Sequence, residues 1–182
     1  MRELEAEFKS VFGVLYTESV RGRIIVLADF VDTALIELIE GFFKKQCKEI
    51  QKGKESLDQI VGSAFGRHLD LAFLLGLIPS KTFDDLKKLQ KIRNHVAHSF
   101  FLTKFEDPEI KNNFQSMNVH KELLKIKLDD QKKNGQNYES NDFLFTDTLA
   151  FLGMDVLWQF PERQARLLAR AMHDQLFKKD NK

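Results

Sequence analysis

Between residues 19 and 45 the chain places Ile24, Ala28, Val31, Leu35, Leu38 and Phe42 at intervals of three and four. That spacing lays one apolar stripe along a helix, whereas a strand would alternate its faces at every residue. Asp29, Glu37 and Glu40 fall on the other side, and Asp32 falls on the flank of the stripe. A helix this long with one apolar face needs other elements to cover it. The rest of the chain offers helices for the purpose. It has only 3 prolines and 9 glycines and no alternating stretch bounded by turn pairs. The expected fold is therefore all-α: a single-domain helical bundle over residues 1–182, with 43% apolar residues to build its core.

A second helix is predicted over 63–75, with Ser63 as its cap and Phe65, Leu69, Ala72 and Phe73 as its stripe. Gly76 and Pro79 should end it. A third is predicted over 80–99, capped by Ser80 or Thr82, with Asp84 and Asp85 at the positive end of its dipole. Leu86, Leu89, Ile92 and Val96 form its apolar face. The long helix is expected to pack on these two, with C-terminal helices covering them. Pro108 should start a short helix, and 119–128 reads as another. Residues 129–142 are polar and almost free of aliphatic side chains, which predicts a loop. The apolar run 143–160 follows, and Pro161 starts or kinks a last helix to about 177. The basic stretch 52–54 is the expected stop of the first helix, after a possible extension to Ile50.

Charge and composition exclude several classes. Lys and Arg (28) nearly balance Asp and Glu (27), so the net charge of +1 gives no general affinity for a phosphate backbone. Cys47 is the one cysteine, so no internal disulfide forms; it lies among Lys44, Lys45 and Lys48 but has no histidine nearby in sequence to make it catalytic. The start, MRELEAEFKSVF, lacks a basic-then-apolar leader, and no apolar run is long enough to span a membrane. A cytoplasmic protein with no membrane association is expected. His68, His95, His98, His120 and His173 show no ligand spacing beyond a weak His95/His98 pair, so neither a metal nor any other cofactor is expected.

The segment KIRNHVAHSF, residues 91–100, is chemically the most unusual. At about 100° per residue, Arg93 falls inside the stripe made by Leu86, Leu89, Ile92, Val96 and Ala97. A guanidinium stays charged, so a buried one needs a carboxylate, carbonyls or a bound anion. Asn94 and His98 share another face and can hydrogen-bond, and His95 points mostly to solvent. Arg93 and His98 diverge by about 140°, so a common site needs the helix to end near His98 or a second subunit to complete it. The structural alternative has Arg93 paired with Asp29 or Asp32 while Asn94 and His98 tie down the helix end.

An arginine followed by a polar residue, with a histidine five positions on, resembles the signature of the HEPN superfamily. The wider pattern is closer to the mannitol operon repressor family, through LADFVDTALIELI (27–39), GSAFGRHLDLAFLLGLI (62–78) and FDDLKKLQKIRNHVAHSF (83–100), within roughly residues 20–105. The HEPN resemblance implies an all-α and usually dimeric protein, many of whose relatives are metal-independent ribonucleases or toxins. Under that mechanism His98 would act as general base or acid, Arg93 would hold the scissile phosphate, and Asn94 would orient His98 or bind phosphate. The repressor-family resemblance implies a regulator that works through an unidentified protein partner. That is the leading expectation, with a homodimer as the assembly; the endoribonuclease acting on RNA is the alternative. Asp29, Asp32 and Arg67, which belong to the matching segments, are the further candidate binding residues. Arg67 adds positive charge to a pocket if it lies near Arg93, and is a surface residue otherwise.

Residues 69–86 superficially resemble a helix-turn-helix. Direct DNA binding is not expected, because Asp84 and Asp85 would face the phosphates at the start of the reading helix. Arg163, Arg166 and Arg170 line one face of the last predicted helix, a solvated face by default. Phe143, Phe145, Phe151, Trp158 and Phe160 crowd one region and read as core, with a dimer or partner face as the alternative.

Overall fold

The computed structural model describes residues 13, 15–46, 59, 64–99, 103–134 and 141–158. Among these residues the regular structure is entirely helical: α1 (Val20–Gln46), α2 (Phe65–Leu74), α3 (Ser80–His98), α4 (Pro108–Ser116), α5 (Asn118–Asn134) and α6 (Asn141–Trp158). The predicted helix 161–177, its arginine face, His173, Cys47, the 52–54 stop and Ser63 lie outside the described residues.

Helix α1 starts at Ser19, whose hydroxyl accepts from the Gly22 amide at 3.1 Å, the usual work of a serine cap. Its buried face is Ile24, Leu27, Ala28, Val31, Ala34, Leu35, Leu38 and Ile39. The expected stripe is thus present, except that Phe42 is only half-buried and meets Phe43 edge to face. Helix α2 has no side-chain cap and ends in a Schellman turn. Gly76 takes φ +69°, its amide donates to Phe73 O, and the Leu77 amide donates to Ala72 O. Helix α3 begins after Pro79 without a side-chain cap, so neither Ser80 nor Thr82 caps it. Thr82 is buried and donates instead to Asp155 of α6 at 2.5 Å.

Helix α1 packs on α2, α3 and α6, and α3 touches every other helix. Helix α6 carries the aromatic-rich run read as core, and it packs on α1, α3 and α5. Phe145, Leu149, Ala150, Leu152, Met154 and Val156 are all buried, while Leu144, Asp147, Phe151 and Asp155 form a half-buried stripe along the opposite side. Phe145 joins Phe105 and Phe114 in an aromatic cluster with centroid separations of 4.9 to 5.4 Å. Helix α5 continues through Asn134, into the stretch predicted as loop. Gln131, Lys132 and Lys133 are good helix formers, and the first glycine comes only at Gly135. Polarity there does not break the helix.

Several polar side chains join the elements. Asp85 and Lys88 of α3 hold the α4–α5 junction. Lys88 donates to the last carbonyl of α4, Ser116 O, at 2.9 Å. Asp85 accepts from the first two amides of α5, Asn118 at 2.8 Å and Val119 at 2.9 Å. Each charge thus meets the end of a helix dipole that it stabilises. Helix α5 needs this help because the preceding residue, Met117, has no side-chain acceptor. Asp85 therefore caps a neighbouring helix and not its own.

A second network ties the segment before α1 to α5 and α6. Tyr16 donates to Asp147 at 3.0 Å, and buried Lys127 meets the other Asp147 oxygen at 2.5 Å. Burial, and then the Asp147 charge, push the Tyr16 phenol well above its ordinary value. Arg23 donates to Glu18 O at 2.8 Å and to the Thr146 hydroxyl at 2.9 Å.

Candidate functional site around Arg93

The end of α3 is held from α1. The Arg21 guanidinium donates to Ser99 O at 2.8 Å and Ala97 O at 3.5 Å, where the last turn of a helix leaves carbonyls without partners. Asn94 and His98 do not perform this task. Both are exposed, and neither makes a hydrogen bond with a described residue.

His95 is also not mainly solvated. Its Nε2 lies 2.9 Å from Asp107, whose other oxygen accepts from the Glu109 amide and caps α4. Pro108 occupies the first helical position, where a missing N–H does no harm. The His95 hydrogen bond is the chief cause that lowers the Asp107 carboxyl below its ordinary value. A carboxyl lowered by folding adds stability above its unfolded value, and that contribution disappears as pH falls through the folded value. Asp107→Ala should therefore lose about 1 kcal/mol near neutral pH, a typical cap effect. The difference from the wild type should vanish in acid, and urea titrations at neutral and at strongly acidic pH check this. A difference that is constant across pH would contradict it.

Arg93 is half-buried and lines an open cleft of about 320 Å³ where α1, α2 and α3 meet. Asp29, Asp32 and Ala28 form the α1 side, Phe65 and Gly66 the α2 side, and Gln90, Arg93 and Asn94 the α3 side. The Gln90 amide lies over Gly66, where a Cβ would come within 2.2 Å of Gln90 Nε2 and would have to push that side chain aside. Arg93 forms no ion pair with Asp29, Asp32 or any other described residue, so the pairing considered from sequence is absent. Asp32 instead meets Nδ1 of His68 at 2.6 Å. A carboxylate is acceptor-only, so His68 donates this bond. His68 is buried on α2 and holds one Asp32 oxygen in place beside the cleft.

The structure thus gathers Asp29, Asp32, Arg93 and Asn94, but not the other two candidates. His98 and Arg67 are exposed, and neither lines the cleft. Gln90, Phe65 and His68 are additions that the sequence reading missed. Gln90 sits three residues before Arg93 on one helix, so helical spacing alone could have suggested it. No comparable signal marks the His68–Asp32 contact across 36 positions. Among the described residues, no group of three or more potential ligands could hold a metal ion, and no helix is long and apolar enough to cross a membrane.

The helix-turn-helix resemblance does not survive as a DNA-reading surface. Thr82 and Asp85 point inward, Lys81 is paired with Glu122, and Lys87 with Asp70. The turn offers no protruding basic face for a groove.

The sequence model of the mannitol repressor family, MtlR, matches residues 14–149. The chain belongs to the mannitol repressor family. That family match runs from the segment before α1 into α6 and includes every lining residue of the cleft. Among solved structures, the X-ray structure of the MtlR–HPr complex from Escherichia coli shares the fold, with a TM-score of 0.58. It is 16% identical and covers 83% of this chain and 98% of its own. At that identity the likeness establishes a common architecture for the MtlR fold and leaves individual side chains free to differ. A search of curated proteins gives no match.

Proposed function

We propose that this chain is a regulator of the mannitol repressor type that acts by binding another protein rather than by reading DNA. The observation that carries this reading is the architecture it shares with an MtlR captured in complex with HPr. HPr is accordingly the first partner to test. The surface suits protein contact. Leu74 is 80% exposed at the end of α2, next to Phe73, which stacks on Phe83 at 4.2 Å. Leu124, Ile126 and Leu128 are exposed along α5. Leu124 and Leu128 lie one turn apart on one face of α5 and are candidate contact residues.

The homodimer expected from sequence belongs to the same reading, and light scattering measures it directly. The ribonuclease alternative requires Arg93 and His98 at one phosphate. It finds little support, because His98 is outside the cleft that Arg93 lines.

The test is calorimetric titration of the purified chain with HPr of its own organism, beside a mobility-shift assay with DNA. Saturable heat with HPr and no DNA shift by the chain alone are expected. A sequence-specific DNA shift, or no heat with HPr at concentrations well above micromolar, would overturn the reading.

A further inference from the structure

The cleft between α1, α2 and α3 holds charges of both signs that do not satisfy one another. Arg93 supplies a cation on the α3 side, and Asp29 and Asp32 supply carboxylates on the α1 side. The side chains of Arg93, Asp29, Gln90 and Asn94 make no hydrogen bond or ion pair with any described residue. A half-buried guanidinium without a partner among the described residues has given up part of its hydration and is open to an added acceptor. Asp32 is better placed, because His68 fixes one of its oxygens at 2.6 Å while the residue remains partly open to the cleft.

This pattern selects a ligand by its charges. A simple anion would meet Arg93 but be repelled by two carboxylates. A simple cation would meet the carboxylates but be repelled by Arg93. A molecule that carries an ammonium and a carboxylate on one carbon satisfies both sides at once. Guanidinium–carboxylate pairing is commonly bidentate, and the amides of Gln90 and Asn94 offer further donors beside it. Ala28, Ala64 and Phe65 provide an apolar wall for a side chain. The volume, about 320 Å³, is at the small end of the ligand-pocket range.

We propose that the cleft binds a free α-amino acid, with its carboxylate at Arg93 and its ammonium between Asp29 and Asp32. Gln90 and Asn94 donate to the same carboxylate, and His68 is a positioning residue that keeps Asp32 turned toward the ammonium. This goes beyond the partner-binding reading and does not depend on it.

The experiment is an amide-resolved NMR titration of the full chain with each proteinogenic α-amino acid at millimolar concentration. Any amino acid that binds is then compared with its amine lacking the carboxylate and its acid lacking the ammonium. At least one amino acid should shift resonances of α1, α2 and α3 around the cleft in a saturable way. Both single-charge analogues should bind roughly tenfold more weakly or worse. Arg93→Ala and Asp29→Asn should each weaken binding by a similar factor in chains whose far-UV circular dichroism shows them to be folded. Failure of every amino acid to bind, equal binding by a single-charge analogue, or full binding by Arg93→Ala would each overturn the proposal. None of these results bears on HPr, so the two readings fail separately.

Discussion

Asp85→Ala should lower the stability of the protein by about 4 kcal/mol, read as a shift of the urea midpoint with an unchanged slope. The Asp85 carboxylate is buried and makes four contacts. Its Oδ1 accepts from the Asn118 amide at 2.8 Å and the Asn118 side chain at 3.0 Å, and lies 3.3 Å from Lys88 Nζ. Its Oδ2 accepts from the Val119 amide at 2.9 Å. Alanine would strand two backbone donors at the start of α5, each costing about 1–3 kcal/mol when left unsatisfied. It would also remove the only carboxylate paired with Lys88 among the described residues. Asp85→Asn keeps one acceptor oxygen and should cost about half as much. Hydrogen exchange at the first turn of α5 should accelerate more than exchange in α1. A loss below about 1 kcal/mol would mean that water caps α5 as well as Asp85 does.

Asp85 also shows where the sequence stops being legible. An acidic residue near a helix start predicts a favourable interaction with that helix's own dipole, and nothing local reveals that the acceptor serves a second helix more than thirty residues on. The helix stripes were legible because each is a property of a single element. Ile24, Ala28, Val31, Leu35 and Leu38 in α1 and Leu86, Leu89, Ile92 and Val96 in α3 are buried as their spacing requires. The neighbours of α6 were less legible. A helix apolar on most sides has a weakly marked face, so periodicity says little about what it touches.

The candidate site divides in the same way. Arg93 stood out because a guanidinium within an apolar stripe is costly unless something nearby accepts it. Its neighbours Gln90 and Asn94 follow from one helix. Its lack of a carboxylate partner among the described residues does not follow, because Asp29 and Asp32 were available in sequence and only the helix packing decides that neither pairs with it. His98 failed for a geometric reason already contained in the roughly 140° between it and Arg93. Helix α3 stays regular up to His98, and Arg21 secures its end, so that divergence is preserved.

Phe114→Ala should be comparably damaging, with a loss of about 4 kcal/mol, because it removes the centre of the aromatic cluster. Phe114 is fully buried, with ring centroids 5.4 Å from Phe105, 4.9 Å from Phe145 and 4.5 Å from His120. Phe114→Leu fills most of the space and should lose about 1–2 kcal/mol. The alanine variant should also change a titration. Burial, followed by the nearby Lys121 charge, lowers the His120 pKa below the ordinary histidine value. Thr148 Oγ1 donates to Leu144 O at 2.7 Å, so at 3.3 Å from His120 Nδ1 it acts as acceptor and the ring carries its proton on Nδ1. A histidine whose folded value is depressed leaves the unfolded chain binding more protons in mild acid. Wild-type stability is therefore complete above the ordinary histidine value and declines as pH falls toward the folded value. A cavity at Phe114 admits water to the imidazole, moves its pKa back up and flattens that decline. The stability gap between Phe114→Ala and wild type should then be narrower in mild acid than at neutral pH. Urea titrations at the two pH values, with the His120 ring resonance followed by NMR, measure both effects. A gap of the same size at both pH values would show that His120 stays dry after the truncation, so that the cluster closes over the missing ring.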